Sequence, residues 1–211
     1  MTTTATVRTV DHLAAAMALA RLRDRDTGQE GFRAAARLIG QSLAIAALDD
    51  VPTTEATVES PLAPAETKRP SVPIVAVPVL RAGLGLLHGV EDVIPDVRVG
   101  MIGLERDEDT LEPTEYYRKT PPLDDAWILL LEPMLATGGS ASAAAQALDA
   151  EGAAGITVLS VVGTQQGIDR IADENPGIRF VVASIDPELN DDAFIVPGLG
   201  DFGDRLFGTV E

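Results

Sequence analysis

Cysteine is absent from the 211 residues of this chain, which excludes disulfides, thiol chemistry and cysteine-ligated zinc. Lysine is almost absent too: Lys68 and Lys119 stand alone, and arginine supplies every other base. No apolar run reaches the roughly 18 residues that suggest a membrane span. The start, Met1-Thr2-Thr3-Thr4-Ala5-Thr6-Val7-Arg8, lacks the apolar centre of a signal peptide. A cytoplasmic protein with no membrane partner is therefore expected. An excess of bases is missing as well. Thirty-three acids oppose sixteen bases, for a net charge of −17. Nucleic-acid binding rests on Lys and Arg neutralising phosphates, so no nucleic-acid partner is expected. The same acid excess, with scarce Lys and abundant Ala, matches a halophilic protein, in which salt screens self-repulsion.

What is present is concentrated in one run, Leu129-Leu130-Leu131-Glu132-Pro133-Met134-Leu135-Ala136-Thr137-Gly138-Gly139-Ser140. An apolar strand ends in an acid, passes through small residues and opens into a helix over 141–151. Such a junction holds a phosphate carried on a sugar. Amides at a helix start face the anion, and the helix dipole favours negative charge. Gly138 and Gly139 permit close approach, since they have no Cβ. Thr137 and Ser140 add hydroxyls, and Glu132 is placed to accept from sugar hydroxyls. A Walker loop is excluded because no Lys follows Gly139. A dinucleotide fingerprint is excluded because Gly83-Leu84-Gly85 is followed next by Gly89, one position late.

Apolar spacing predicts helices over 11–23 and 29–48. Leu13, Met17, Ala20 and Leu22 form the apolar face of the first, which Asp11 would cap. Residues 53–60 read as a strand of an arm, and the proline-rich 61–73 as a connection or hairpin tip. Strands over 74–79, 98–104, 127–131, 155–163 and 180–185 alternate with helices over 85–93, 141–151 and 167–175. The runs are continuously apolar, as in a parallel sheet covered on both faces. The expected fold is thus α/β, a doubly wound, mostly parallel sheet, with ligands beyond the carboxyl ends of its strands.

Three further segments fall at those ends. Arg81, closing the first of these strands, is a second anion site, since guanidinium offers parallel donors to phosphate. Residues 105–119 are polar and non-periodic, and read as a flap or a solvated hairpin; Arg106, Arg118 and Lys119 sit on it. Near the C-terminus, Ile195-Val196-Pro197-Gly198-Leu199-Gly200-Asp201-Phe202-Gly203-Asp204 is too rich in Gly and Pro for a helix or central strand. Its backbone can read the edge of a planar base. His88 reads as structural, and Trp127 as core or core edge.

Together these segments resemble the uracil phosphoribosyltransferase family. The resemblance is carried by Leu22-Arg23-Asp24-Arg25-Asp26-Thr27, Val79-Leu80-Arg81-Ala82-Gly83-Leu84-Gly85, Thr110-Leu111-Glu112-Pro113 and Pro133 to Ser140. Ala183-Ser184-Ile185-Asp186, Val196-Pro197-Gly198-Leu199-Gly200-Asp201 and Gly203-Asp204-Arg205-Leu206-Phe207-Gly208-Thr209 complete it. Two departures stand out: Glu132 replaces the family's usual Asp, and Asp11-His12-Leu13 stands where a His-Pro pair is common.

The resemblance implies the phosphoribosyltransferase type I fold as one domain over 1–211. Its parts would be N-terminal helices (1–50), an arm (53–73), a core (74–190) and a base-recognition hood (191–211). It implies conversion of uracil and phosphoribosyl pyrophosphate (PRPP) to UMP and diphosphate, in pyrimidine salvage, with Mg2+ carried by PRPP rather than by protein ligands. PRPP would meet Arg81, Arg106, Glu132, Pro133, Met134, Leu135, Ala136, Thr137, Gly138, Gly139, Ser140 and Asp201. Uracil would meet Ile195, Gly200, Asp201 and Phe202, mostly through backbone. Arg81, Arg106 and Asp201 would be the catalytic groups: the arginines at the leaving diphosphate, Asp201 orienting the ring. A homo-oligomer, dimer or tetramer, is implied, and GTP is a candidate activator. The residues alone leave three rivals open: an RNA-binding regulator of the same fold, a transferase for another base, and a structural α/β subunit whose loops are unused.

Overall fold

The computed structural model of the chain describes residues 6–106 and 113–209. The chain opens with β1 (Thr6–Thr9), α1 (Leu13–Arg23) and α2 (Gln29–Ala47), followed by the hairpin β2 (Thr53–Glu59) and β3 (Pro64–Pro70). Then come β4 (Ile74–Leu80), α3 (Leu84–Val93), β5 (Arg98–Val99), β6 (Met101–Arg106), β7 (Pro113–Lys119) and β8 (Trp127–Leu131). The last part holds β9 (Met134–Leu135), α4 (Gly139–Asp149), β10 (Gly155–Thr164), α5 (Gln165–Glu174) and β11 (Arg179–Asp186). It closes with β12 (Glu188–Leu189), β13 (Ile195–Val196) and α6 (Phe202–Phe207).

The main sheet runs β1-β11-β10-β8-β4-β6-β7, with β5 beside β4 and β9 beside β10. Its pairings are parallel except β6 with β7. The continuous apolar runs feed two cores at once. Trp127, Leu129 and Leu131 of β8 pack with α1, α2, α3 and α6 on one face. Ile128 and Leu130 pack with α4 and α5 on the other. Side chains alternate across a strand, so a strand covered on both sides must be apolar at every position. The doubly wound architecture expected from the sequence is present. From β4 the chain winds outward through β6; from β8 it winds the opposite way through β10 and β11. The switch point lies between β4 and β8, where ligands of such sheets bind.

Several local expectations are corrected. His12, not Asp11, caps α1, its Nδ1 accepting from the Ala15 amide at 3.2 Å. The buried face of α1 is Ala15, Ala18 and Leu22, while Leu13 and Met17 are exposed; α1 is so rich in Ala and Leu that its periodicity does not mark a unique face. The tip of the arm shrinks to 60–63, because Pro64–Pro70 is itself a strand paired with β2; prolines are tolerated on such edges. The strand over 98–104 is two pieces flanking Gly100. Pro78 on β4 brings no amide to the ladder there. The flap is a hairpin in which β6 pairs with β7; its tip, including Thr110-Leu111-Glu112, lies outside the described residues. The C-terminal loop is shorter than expected, since Ile195 and Val196 pair with β12 and Phe202–Phe207 is helical. β1, β9 and β12 are short strands that apolar patterning does not announce.

Candidate functional site

Strand β8 ends at Leu131, and the next residues stay tied to the sheet. The Glu132 amide bonds Leu159 O at 3.1 Å, the amides of Val161 and Val162 reach Pro133 O at 3.0 and 3.1 Å, and β9 pairs with β10. The loop above is held from beneath. Thr164 Oγ1 donates to Ala136 O at 2.8 Å and caps α5 by accepting from the Gly167 amide at 3.0 Å. Gly138 has φ +80, and a Cβ there would lie 2.5 Å from Gly167 O; only glycine fits both constraints. Thr164 and Gly167 are supports that sequence reasoning missed, although a Thr between an apolar strand and a helix is a readable N-cap signal.

Helix α4 starts from Gly138 with no side-chain cap and no acid in its first turn. Its leading amides therefore keep their donors for a partner outside the helix. They face a crevice of about 110 Å³ lined by Glu132, Met134, Leu135, Ala136, Thr137, Gly138, Gly139, Ser140 and Ala141. Glu132 is the one acid in that lining. Burial pushes its carboxyl up to about 8 from 4.5, and the Met134 amide offsets only part of this. Its neutral form is therefore favoured far more than that of a solvated glutamate.

Arg81 stands just past β4, across the switch point. Its guanidinium is half exposed, lies 3.4 Å from Asp204 Oδ1 and sits 5.5 Å from the centre of the Phe207 ring. The strand-end arginine and the C-terminal segment thus meet directly. Asp201 caps α6, its Oδ1 accepting from the Asp204 amide at 2.8 Å. Gly200 is exposed with φ +77. Ile195 and Phe202 are buried, and Phe202 packs edge-on to Phe32 with ring centres 5.1 Å apart. Only the backbones of these two residues are left to meet a ligand. Arg106 ends β6, and its backbone pairs with Pro113; its guanidinium lies outside what is described. Arg118 turns away from the cleft to Glu115 and Glu151, at 3.1 and 2.7 Å. His88 is exposed beside Glu91 at 3.0 Å, and Trp127 is buried, its Nε1 donating to Thr157 Oγ1 at 3.2 Å.

Two outcomes test this geometry. Gly138→Ala should destabilise by about 1–3 kcal/mol through forced strain. Gly139→Ala should be neutral or slightly stabilising, because its Cβ would meet only the Arg170 guanidinium, at 3.4 Å. Urea titrations of both compare them, and equal losses would contradict the support assigned to Gly138. The raised pKa of Glu132 sets a pH signature. The unfolded chain ionises this carboxyl from about pH 4.5, the folded protein only near 8, so stability falls between these values. The Tm advantage of Glu132→Gln over the parent should widen across that window and flatten above it. An advantage independent of pH would place the carboxyl in water.

The model of the uracil phosphoribosyltransferase family matches residues 9–209. The uracil phosphoribosyltransferase of Thermus thermophilus is 46% identical over 95% of this chain and 97% of that one. That of Corynebacterium diphtheriae is 44% identical over 96% of each. Among solved structures, the AQ2163 protein of Aquifex aeolicus has a TM-score of 0.89 at 32% identity, covering 96% of this chain and 98% of that one. A hypoxanthine phosphoribosyltransferase from Staphylococcus aureus, at 12% identity and a TM-score of 0.50, shares the fold alone, over 74% of this chain and 75% of its own. With a match along nearly all of its length, a crevice at the switch point and a C-terminal loop beside it, the chain belongs to the uracil phosphoribosyltransferase family.

Proposed function

We propose that this chain transfers a phosphoribosyl group from PRPP to N1 of uracil, giving UMP and diphosphate in pyrimidine salvage. The observation that carries this is the uncapped start of α4 facing a crevice that holds a single acid. The amides of Thr137 to Ser140 hold the 5′-phosphate, and Glu132 hydrogen-bonds the ribose hydroxyls. Its longer arm, in place of the family's usual Asp, lets a carboxyl anchored beside the Met134 amide reach the sugar. Arg81 meets the diphosphate, and Arg106 joins it from the β6–β7 hairpin. The backbone of Ile195 and Gly200, with Asp201 and the amide of Phe202, reads the uracil edge.

Breaking the bond at the anomeric carbon leaves positive charge on the sugar and adds negative charge to the departing diphosphate. Arg81 strengthens its hold as that charge grows, which is what lowers a barrier. Asp201 keeps the ring aligned over the anomeric carbon, so the bond from N1 forms without a further search for orientation as the bond to diphosphate breaks and the N1 proton passes to water. Among the described residues no three His, Asp or Glu side chains converge into a metal cage. A lone carboxyl suits a magnesium held mainly by diphosphate oxygens and water. When bound, it would neutralise charge on the leaving group.

The arm points to a homo-oligomer. Strands β2 and β3 are exposed along nearly their whole length, and Leu62 at the tip is 98% exposed. An isolated hairpin is at best marginal in water, and a second copy of the chain would cover it. Sedimentation should find a dimer or tetramer that Leu62→Asp shifts toward monomer; a monomeric parent would remove the arm's role.

Mass detection of UMP from uracil, PRPP and magnesium tests the reaction, and its absence would overturn the proposal. Runs at low and molar KCl, and with and without GTP, read out salt adaptation and activation. Arg81→Ala should lower kcat by about 10²–10³-fold, as removal of a charge stabiliser does elsewhere. An unchanged rate would remove Arg81 from the mechanism.

A further inference from the structure

The family motifs include Arg23 and Asp186, to which the mechanism assigns nothing. They form the most completely bonded ion pair among the described residues. Arg23 ends α1 and Asp186 ends β11, and the two side chains meet in a bidentate pair with N–O distances of 2.7 and 2.6 Å. Asp186 is almost wholly buried. Burial alone would raise its carboxyl, but Arg23, Ser184 and the Gly198 amide together hold it below its ordinary value. Ser184 Oγ accepts from Arg23 at 2.9 Å and donates to Asp186 at 2.8 Å.

The pair grips one residue of the C-terminal loop by both of its backbone groups. The Gly198 amide donates to Asp186 Oδ2 at 2.9 Å, and its carbonyl accepts from Arg23 Nη1 at 2.8 Å. No side chain fits at Gly198, since a Cβ would lie 2.0 Å from Ile195 O. Two residues later the loop reaches Gly200. A second arginine crosses in the opposite direction. Arg205 of α6 donates to Leu199 O at 2.8 Å, to Asp24 O at 2.6 Å and to Leu22 O, and it lies over the Phe32 ring. The end of α1 is thus stapled to the loop from both sides.

We propose that the Arg23–Asp186 pair is a positioning device: by fixing both peptide groups of Gly198 it sets where the loop offers its donors and acceptors, and so tunes affinity and selectivity for the base without touching it. This rests on the reading that residues 195–202 receive uracil. An edge read by backbone discriminates only if the backbone holds its place, to within about 0.5 Å. Lysine in place of Arg23 keeps the charge but cannot make the bidentate pair together with the bonds to Ser184 and Gly198.

Arg23→Lys should raise the KM for uracil at least about tenfold through a loosened loop, with kcat at saturating uracil and the dissociation constant for PRPP little changed. The rate with cytosine relative to uracil should rise. Asp186→Asn, equal in shape, should show the same split more weakly, and it carries the test if Arg23→Lys does not fold. Hydrogen exchange of peptides spanning 195–202 should quicken in both variants while peptides from β8 and α4 stay protected. An unchanged uracil KM, or parallel losses in kcat, PRPP binding and Tm, would overturn the proposal. If the parent protein does not use uracil, the functional reading fails. The exchange data then judge the positioning claim alone, and unaltered exchange over 195–202 defeats it.

Discussion

The structure depends on how α4 begins. A helix start with no side-chain cap leaves several amides looking for an acceptor, and here that start is built into the fold. Gly138 adopts a left-handed conformation against the Gly167 carbonyl, and Thr164 holds Ala136 from below. The donors are therefore in place before any ligand arrives. Such preorganisation is what makes hydrogen bonds to a developing or bound charge effective. The remaining parts of the site are arranged around this fixed point because β4 and β8 are neighbours whose crossovers run in opposite directions.

A chain with a net charge of −17 must bind a heavily anionic substrate against its own field. It does so by local arrangement. The crevice wall contributes backbone donors and a carboxyl whose neutral form burial favours. Arg81 stands across the switch point beside Asp204, and Arg23 and Arg205 hydrogen-bond the carbonyls of Gly198 and Leu199. Other arginines are engaged away from the crevice: Arg37 with Asp92, and Arg118 with Glu115 and Glu151, form surface pairs worth little individually.

Particular residues show what could be read in advance and why the rest could not. The buried strands were legible because full burial on both faces demands unbroken apolar runs such as Trp127–Leu131. The loop into α4 was legible because its pattern is local: an acid, small residues and a helix start follow one another along the chain. The apolar face of α1 was not, since Leu13 and Met17 could have pointed inward as well as Ala15 and Ala18. Ile195 and Phe202 were expected at uracil, and their side chains prove to be anchors for the core. Burial of a loop side chain depends on what packs against it, here Phe32 from a helix far away in sequence.

The sequence by itself determined the fold class, the covered parallel sheet, the strand–loop–helix junction over 129–140 and the motifs that mark the family, because each is written in neighbours along the chain. Tertiary structure alone decided that burial raises the Glu132 carboxyl, that Thr164 and Gly167 brace the loop, and that Arg23 and Asp186 fix Gly198. Those outcomes come from desolvation and hydrogen bonding between segments up to 175 residues apart. Periodicity and spacing report on what lies nearby in the chain, and these energies arise only when distant segments exclude water together.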